Sequence, residues 1–365
     1  MPSSHQFPFC TDQVDRLQEL LVKMAPFVAN LPQPSDMYNL EVFLTHHAIG
    51  GSRISALLDR NLFSRILDMA KGKNVDTSKT SVVAAATMAF LIAAKVEIEF
   101  NICIYEGISS TRDRPTPDEE IKIFHIANNI HPTEYAEIAL GNSTRISKKS
   151  LDDAQTTVSN NQASRKEFVD KPLTEWKRHR LILTKIVLLE RDTSLARLEK
   201  LKALFQWSME ASFHDEMAIV FATIYFSENR PGKMFKKALS GFSNRCKKSI
   251  ENTSWDLTYV SYWVRWSRSD HEKTWMFCSY DHVLLDIARA RLSDTRRSLF
   301  AKYWESADDV NQIISGFEEV ENSIKMEGER RRRDVSDRHQ RIDQLQASLD
   351  LLLDSIIDRD NLKAK

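Results

Sequence analysis

Glycine and proline are scarce in this chain, with 9 and 10 copies in 365 residues. Both counts are well below average usage, and these two residue types dominate the tight turns that join short strands. The shortage argues against a β-sandwich or a β-barrel and favours long helices. The 42% of apolar residues is enough for a sizeable core, and the length suits two or more domains. We therefore expect an α/β protein dominated by helices, with one small sheet.

The chain also lacks an excess of charge of either sign, because its 51 basic and 51 acidic side chains cancel. No global field would attract a nucleic acid or an anionic membrane, so only local patches of charge can serve such partners. Recognition of an anionic partner is therefore expected to depend on a few specific residues.

A hydrophobic run long enough to span a bilayer is absent as well. The most apolar window, Val82 to Ala94, is about half the required length, and Lys79 and Lys95 flank it. This window predicts a core helix that is covered on all sides. The first ten residues lack the basic and apolar regions of a secretion signal. We therefore expect no membrane partner.

Cysteine is rare, and its four copies form no Cys-x-x-Cys pair, which argues against a zinc site or a disulfide framework. Two of them, Cys103 and Cys278, fall inside apolar runs. Buried free thiols in a reducing compartment explain this pattern, so we expect a cytoplasmic protein.

The stretch from Arg53 to Leu67 predicts a strand, a turn and a helix. An apolar run, Ile54 to Leu58, ends abruptly at Asp59, and apolar residues then recur at helical spacing. This layout places Asp59 at the carboxyl end of a buried strand. In an open α/β sheet, ligands bind at that end because the strand-to-helix loops converge there.

Two further apolar runs end in a carboxylate, at Glu106 and, through Ser279-Tyr280, at Asp281. If the three runs are parallel strands, Asp59, Glu106 and Asp281 emerge at one edge of the sheet. Carboxylates there would repel one another unless a cation lay between them, and hard divalent ions such as Mg²⁺ bind oxygen clusters of this kind. A metal ion at this edge would activate water and stabilise the charge that develops during phosphodiester cleavage.

These motifs resemble those of the PIN-like nuclease family. Asp59-Arg60-Asn61 is similar to the opening Asp-x-Asn of the family, Glu106 resembles its second acid, and Ser279-Tyr280-Asp281 resembles its Thr/Ser-x-Asp after a late strand. Asp256, in a predicted helix ahead of that strand, matches the place of the third acid. Asp215, at the start of another apolar helix, competes for that role.

The resemblance implies a small, mainly parallel sheet flanked by many helices, and a metal-dependent endoribonuclease that cleaves single-stranded RNA. Such enzymes are often toxins, antiviral effectors or RNA-processing enzymes. Asn61 and Ser279 would fix the geometry, with Asp215 as a further supporting residue. The implied ligands of one or two Mg²⁺ or Mn²⁺ ions are Asp59, Glu106, Asp256 and Asp281.

On this resemblance the sequence divides into four segments. Residues 1–106 and 211–295 form the two halves of the PIN-like domain, and residues 107–210 form a helical insertion. Residues 296–365 form a C-terminal extension. Within it, residues 313–356 mostly follow a heptad pattern, which predicts a long helix or a coiled coil. This helix would pack against the same chain, a second copy or a regulatory protein.

A basic run, Arg330, Arg331, Arg332 and Arg333, interrupts the heptads. Such a run is usually a solvated face, but with Arg60 it offers the chain a local patch that can contact RNA phosphates.

Structural explanations remain open for each candidate acid. An Asp at the end of a strand is commonly a helix N-cap, which applies to Asp59 and Asp281. Glu106 fits a first-turn acid that is favoured by the helix dipole. If all three acids are structural, the chain is a non-catalytic interaction or scaffold protein that acts through its C-terminal heptads. Elsewhere, residues 40–45 alternate as in a strand, and the polar stretch 141–164 predicts a flexible loop.

Overall fold

The protein is described here from a computed structural model, which covers residues 9–29, 34–76, 78–109, 116–160, 173–211, 213, 215–232, 234–235, 238–292, 296–330 and 335–363. Helices dominate these ranges, and four short strands form one mixed sheet. The expectation of a helix-dominated α/β protein with a small sheet is confirmed. Among the residues just given, no helix is both long and apolar enough to cross a bilayer.

The chain folds into two compact units. Unit 1 comprises Met1–Lys171 and Tyr262–Leu285, and unit 2 comprises Pro172–Ser261 and Asp286–Lys365. The boundaries of these units differ from those of the four segments suggested by the resemblance. Residues 107–171, expected in a helical insertion, belong to the same unit as the sheet.

The sheet of unit 1 contains β1 (Phe27–Ala29), β2 (Arg53–Leu58), β3 (Glu97–Glu99) and β4 (Lys273–Cys278) in the order β1-β4-β2-β3. The central strand β2 runs parallel to both β3 and β4, whereas β1 is antiparallel to β4. Every residue of β2 after Arg53 is buried, as expected for a parallel strand covered on both faces. Leu58 lies opposite Cys278, so the carboxyl ends of β2 and β4 are level.

The helices of unit 1 before β4 are α1 (Thr11–Met24), α2 (Leu40–Ala48), α3 (Arg60–Ala70), α4 (Lys79–Ala93), α5 (Asn101–Ser109), α6 (Pro117–Asn129), α7 (Pro132–Ala139) and α8 (Lys148–Asn160). Nearly every side chain of α4 is buried, which confirms the predicted core helix. It packs against α1, α3 and α7. Its many alanines allow these neighbours to approach closely.

The secondary structure described for unit 2 consists of helices joined by turns and loops. Its helices include α9 (Thr174–Arg191), α10 (Arg197–Glu210), α11 (Glu216–Tyr225), α14 (Arg296–Tyr303), α15 (Ala307–Arg330) and α16 (Val335–Lys363). Two further helices, α12 (Ser243–Ser269) and α13 (His282–Leu292), contribute residues to both units.

The predicted strand at residues 40–45 is wrong, because these residues begin α2. Asn39 caps this helix by accepting hydrogen bonds from the backbone N–H groups of Glu41 and Val42. Leu40, Phe43 and Leu44 are the buried residues of α2. Their spacing follows a helical face, which a short alternating window does not distinguish from a strand.

The predicted strand that ends at Glu106 is also wrong. The strand in this region is β3, and the apolar run after it forms α5. Glu99 starts the helix by accepting a hydrogen bond from the backbone N–H of Asn101 at 2.8 Å. A short apolar run fits a buried helix as well as a strand, so only the preceding cap separates the two. Glu106 therefore lies within a helix and not at the end of a strand.

The predicted loop at residues 141–164 contains α8, a helix over Lys148–Asn160, while residues 161–164 lie outside the described ranges. The side chain of Ser147 accepts a hydrogen bond from Ser150 N at 3.3 Å and helps to start this helix. The polar composition reflects a largely exposed helix, because few of its side chains are buried.

The C-terminal heptad residues lie on two helices, α15 and α16. Ile313 and Phe317 are buried where α15 packs against α10, and Ile342 and Leu353 are buried on α16, which packs against α9. Leu352, which the heptad pattern places in the apolar seam, is 47% exposed. The apolar faces of both helices are thus used within unit 2.

Candidate functional site

Asp59 directly follows β2 and begins α3. Its backbone N–H donates to the carbonyl oxygen of Cys278 at 3.0 Å, and its Oδ1 accepts from the N–H of Leu62 at 2.7 Å. The residue is 1% exposed. Its second carboxylate oxygen, Oδ2, accepts a short hydrogen bond from the hydroxyl of Ser279. The N-cap explanation is therefore correct for Asp59, but it accounts for only one of the two carboxylate oxygens.

Ser279 connects the ends of the two strands. Its backbone N–H donates to the carbonyl oxygen of Pro26 at 3.0 Å, which fixes its position beside β1. Its hydroxyl donates to Asp59 and accepts from the N–H of Asp281 at 2.9 Å. The carboxylate of Asp281 uses Oδ1 to cap α13, accepting from Val283 N at 2.8 Å. The Ser-x-Asp motif thus lies directly beside Asp59, as the strand-end prediction required.

Glu106 reaches the same edge of the sheet from α5. The thiol of Cys103, one turn earlier, donates to the carbonyl oxygen of Leu58 at 3.4 Å and places α5 beside the end of β2. Glu106 is close enough to Asp59 for its negative charge to raise the pKa of the Asp59 carboxyl. Three of the four predicted acids therefore share one edge of the sheet, although a helix supplies Glu106.

Burial raises the pKa of Asp59 from an ordinary value of 3.8 to about 7. The hydrogen bonds from Leu62 and Ser279 favour the charged form, while the charges of Asp281 and Glu106 disfavour it. Burial also raises the pKa of the Cys278 thiol well above 9.0, and the charge of Asp59 adds to this effect. The site therefore contains a carboxyl that ionises near neutral pH beside a thiol that stays neutral.

The fit of the site to a metal ion is mixed. Its donors are carboxylate oxygens, which suit Mg²⁺ and Mn²⁺. However, the part of the chain that the structure describes contains no group of three or more His, Cys, Asp or Glu side chains arranged to hold an ion. Both oxygens of Asp59 already accept hydrogen bonds. A metal ligand at Oδ2 of Asp59 therefore requires the Ser279 hydroxyl to give up this hydrogen bond.

Two further predicted site residues are Asn61 and Asp256. Asn61, the second residue of α3, is exposed. Asp256 is half-buried on α12 and belongs to unit 2, whereas Asp59, Glu106 and Asp281 belong to unit 1.

Asp215, the competing third acid, has a structural role in unit 2. It caps α11 by accepting from Ala218 N at 3.1 Å, and it lies 3.3 Å from Nε2 of the fully buried His179. Burial alone would raise the pKa of Asp215, but His179 and Arg178 hold it well below its ordinary value. Asp215 is therefore an ionised helix cap within an ion pair.

Arg60 is not exposed to an RNA backbone. Its guanidinium is buried and forms a bidentate ion pair with Glu120, with N–O distances of 2.8 Å and 2.5 Å. Arg330 ends α15, but its side chain lies outside the described residues, as do Arg331, Arg332 and Arg333.

Sequence reasoning missed two contacts at this edge. The first is the ion pair of Arg60 with Glu120, which are 60 positions apart. The second joins Lys79, the first residue of α4, to His282, which follows Asp281. The Lys79 ammonium donates to Nε2 of His282 at 3.2 Å, and both side chains are exposed. No periodicity links residues so distant in sequence, although His282 stands beside a motif that was recognised.

Comparisons with known proteins return no match, whether to a family model, to a curated protein or to a solved structure. The function must therefore be inferred from the acidic site.

Proposed function

We propose that the chain is a metal-dependent phosphodiesterase, a PIN-like endoribonuclease that cleaves single-stranded RNA at the acidic edge of unit 1. The observation that carries this proposal is the junction of Asp59, Ser279 and Asp281 at the level ends of two parallel strands. Ligands bind at this end of such sheets. A toxin or antiviral role would follow from the habits of the family.

The energetic cost of the site supports a functional role. A buried Asp with a pKa near 7 that faces two further carboxylates destabilises the folded protein at neutral pH. A neutral or hydroxyl-bearing side chain would cap α3 without this cost. Perturbed carboxyls of this kind are typical of functional sites.

Asp59, Glu106 and Asp281 would hold Mg²⁺ or Mn²⁺. Such an ion, when bound, lowers the pKa of water and stabilises the charge on a phosphodiester as it is cleaved. Ser279 fixes the Asp59 carboxylate relative to the backbone of Asp281, because its hydroxyl donates to Oδ2 of Asp59 and accepts from the N–H of Asp281. Asp59 loses its proton near neutral pH and becomes a competent ligand there.

Lys79, which donates to His282, supplies the positive charge that a phosphodiester substrate needs beside an acidic site. The two side chains are exposed and contact each other next to Asp281. A lysine at this position attracts phosphate groups through a salt-sensitive interaction. This contact favours a phosphodiester over an uncharged substrate, and it does not by itself distinguish RNA from DNA.

The test uses the purified full chain and a pool of labelled single-stranded RNAs and DNAs, with Mg²⁺, Mn²⁺ or EDTA. We expect cleavage of RNA that depends on the metal and is lost in Asp59→Asn and in Asp281→Asn. The control is Asp192→Asn, which alters an exposed carboxylate of unit 2 and should retain cleavage. Metal-dependent cleavage that survives Asp59→Asn would refute the proposed site.

The competing proposal is a non-catalytic interaction protein. It is favoured by the exposed leucines of α16, among which Leu351 is 73% exposed. On this proposal the carboxylates of Asp59 and Asp281 are only helix caps. Absence of products, together with absence of Mn²⁺ binding by calorimetry, would favour it over the nuclease.

A further inference from the structure

The Arg60–Glu120 ion pair lies one residue from the acidic site and is almost fully enclosed. The side chains of Arg60 and Glu120 are 10% and 4% exposed. The guanidinium also lies over the ring of Phe63, 5.3 Å from its centroid. The Phe63 ring contacts one face of the planar guanidinium, and the Glu120 carboxylate binds its edge. The guanidinium therefore has a single orientation.

The pair joins three helices. Arg60 is the first residue of α3 and directly follows Asp59, while Glu120 lies in the first turn of α6. Nη1 of Arg60, one of the two nitrogens that contact Glu120, also donates to the carbonyl oxygen of Cys103 in α5, at 2.9 Å. Helix α3, which begins directly after Asp59, is thereby hydrogen-bonded to α5, which contains Glu106.

Gly107 shows how closely α5 approaches the pair. A Cβ atom at this position would lie 3.1 Å from Oε2 of Glu120 and 3.4 Å from Nη1 of Arg60. The backbone next to Glu106 therefore rests directly against the ion pair. A side chain at position 107 would press against the pair.

Stability alone is a poor explanation for this pair. Replacing a buried ion pair by apolar side chains of similar volume is often neutral or stabilising, because the desolvation of two charges offsets their attraction. What an ion pair with fixed hydrogen bonds provides, and an apolar contact does not, is a defined geometry between the helices.

We infer that Arg60 and Glu120 are positioning residues: their ion pair holds α5, and with it Glu106, in place beside Asp59. The consequence for metal binding rests on the proposed function. Removal of residues that orient the metal ligands, without contacting the metal themselves, typically lowers metal affinity by about 10- to 100-fold.

The test compares the unmodified protein with the double variant Arg60→Met/Glu120→Leu, which leaves no buried charge unpaired and is expected to fold. Hydrogen exchange of the α5 amides is measured first, without metal. Mn²⁺ affinity is then measured by titration at a temperature where both proteins are folded. We expect faster exchange in α5 with little change in α4, and a loss of Mn²⁺ affinity of about tenfold or more.

The control is Lys200→Met/Glu190→Leu, which removes a largely buried ion pair of unit 2 together with the ion pair of Glu190 with Arg230. It should leave α5 exchange and Mn²⁺ affinity unchanged. If hydrogen exchange in α5 is unchanged in the Arg60/Glu120 variant, the inference is overturned. It is also overturned if α5 exchanges faster in this variant but Mn²⁺ affinity is unchanged. An unmodified protein that binds no Mn²⁺ refutes the proposed function instead, and the exchange data then still decide whether the pair positions α5.

Discussion

Ser279 donates its hydroxyl hydrogen to Oδ2 of Asp59, and this bond joins the carboxyl ends of two neighbouring parallel strands. The two residues are 220 positions apart in the sequence. Their contact brings a helix cap, a second carboxylate at Asp281 and the start of two helices to one point.

Asp59→Asn should stabilise the protein at alkaline pH. The folded-state pKa of about 7 lies above the ordinary value of 3.8. The folded protein therefore binds more protons than the unfolded chain between about pH 4 and pH 7, and stability falls as the pH rises through that window. Asparagine keeps the cap without the charge. Denaturant unfolding at pH 8 should show a gain of up to about 4 kcal/mol, which disappears near pH 4.

The control for this prediction is Asp192→Asn. Asp192 is exposed, and hydrogen bonds from Ser194 lower its pKa. Its replacement should give no gain at pH 8. Equal stability of Asp59→Asn and the unmodified protein at pH 8 would show that the buried carboxylate carries no penalty.

Ser279→Ala should shift Mn²⁺ binding to higher pH. The Ser279 hydroxyl lowers the pKa of Asp59, so its removal raises that pKa further above about 7. It also leaves the buried carboxylate oxygen of Asp59 without a donor, which costs about 1–3 kcal/mol of stability. Mn²⁺ titrations between pH 6 and pH 9 should place half-maximal binding at a higher pH than in the unmodified protein.

Ser208→Ala is the matched control for Ser279→Ala. Ser208 is equally buried, and the described residues provide no hydrogen-bond partner for its hydroxyl. Its removal should cost little stability and leave the pH dependence unchanged. The same pH midpoint in both alanine variants would contradict the role of Ser279.

Lys79→Ala should weaken RNA binding without weakening Mn²⁺ binding. Loss of one phosphate contact should lower the slope of log affinity against log salt by about 1 and raise KM more than it lowers kcat. Fluorescence anisotropy with a single-stranded RNA at several salt concentrations measures the slope. Lys149→Ala, which removes another exposed lysine of unit 1, should leave the slope unchanged. An unaltered slope in Lys79→Ala would remove this residue from the RNA contact.

Asp215→Asn should destabilise unit 2 most at neutral pH. The pKa of Asp215 is held below its ordinary value of 3.8, so the stability it contributes is present above about pH 4 and is lost as the pH falls further. Loss of a hydrogen-bond partner at this buried site costs about 1–3 kcal/mol. Thermal unfolding from pH 7 to pH 3 should show a deficit that shrinks towards the acid end. A constant deficit would mean that only the helix cap contributes.

The strands β2 and β4 and the meeting of Asp59, Ser279 and Asp281 were predictable from the sequence. A buried parallel strand is a continuous apolar run, and the polar residue that ends it is visible at the boundary. The same reasoning failed at residues 101–106, where an equally apolar run is helical because Glu99 caps it. Local composition does not separate these two cases.

The long-range contacts were not predictable. Arg60 carries no mark in the sequence that distinguishes a buried partner of Glu120 from an exposed RNA ligand. The heptad pattern of residues 313–356 likewise indicates an apolar face but not what covers it. In the structure α10 packs against α15, and α9 packs against α16.

The order of the strands has a consequence for the timing of synthesis. The central strand β2 is made early, but its neighbour β4 begins only at Lys273, after the whole first segment of unit 2. Pairing across such a sequence separation is slow and waits for the later segment to be translated. A nascent chain shorter than about 280 residues has no Ser279 and no Asp281 to set beside Asp59. About three-quarters of the chain must therefore be synthesised before these acidic residues can be brought together.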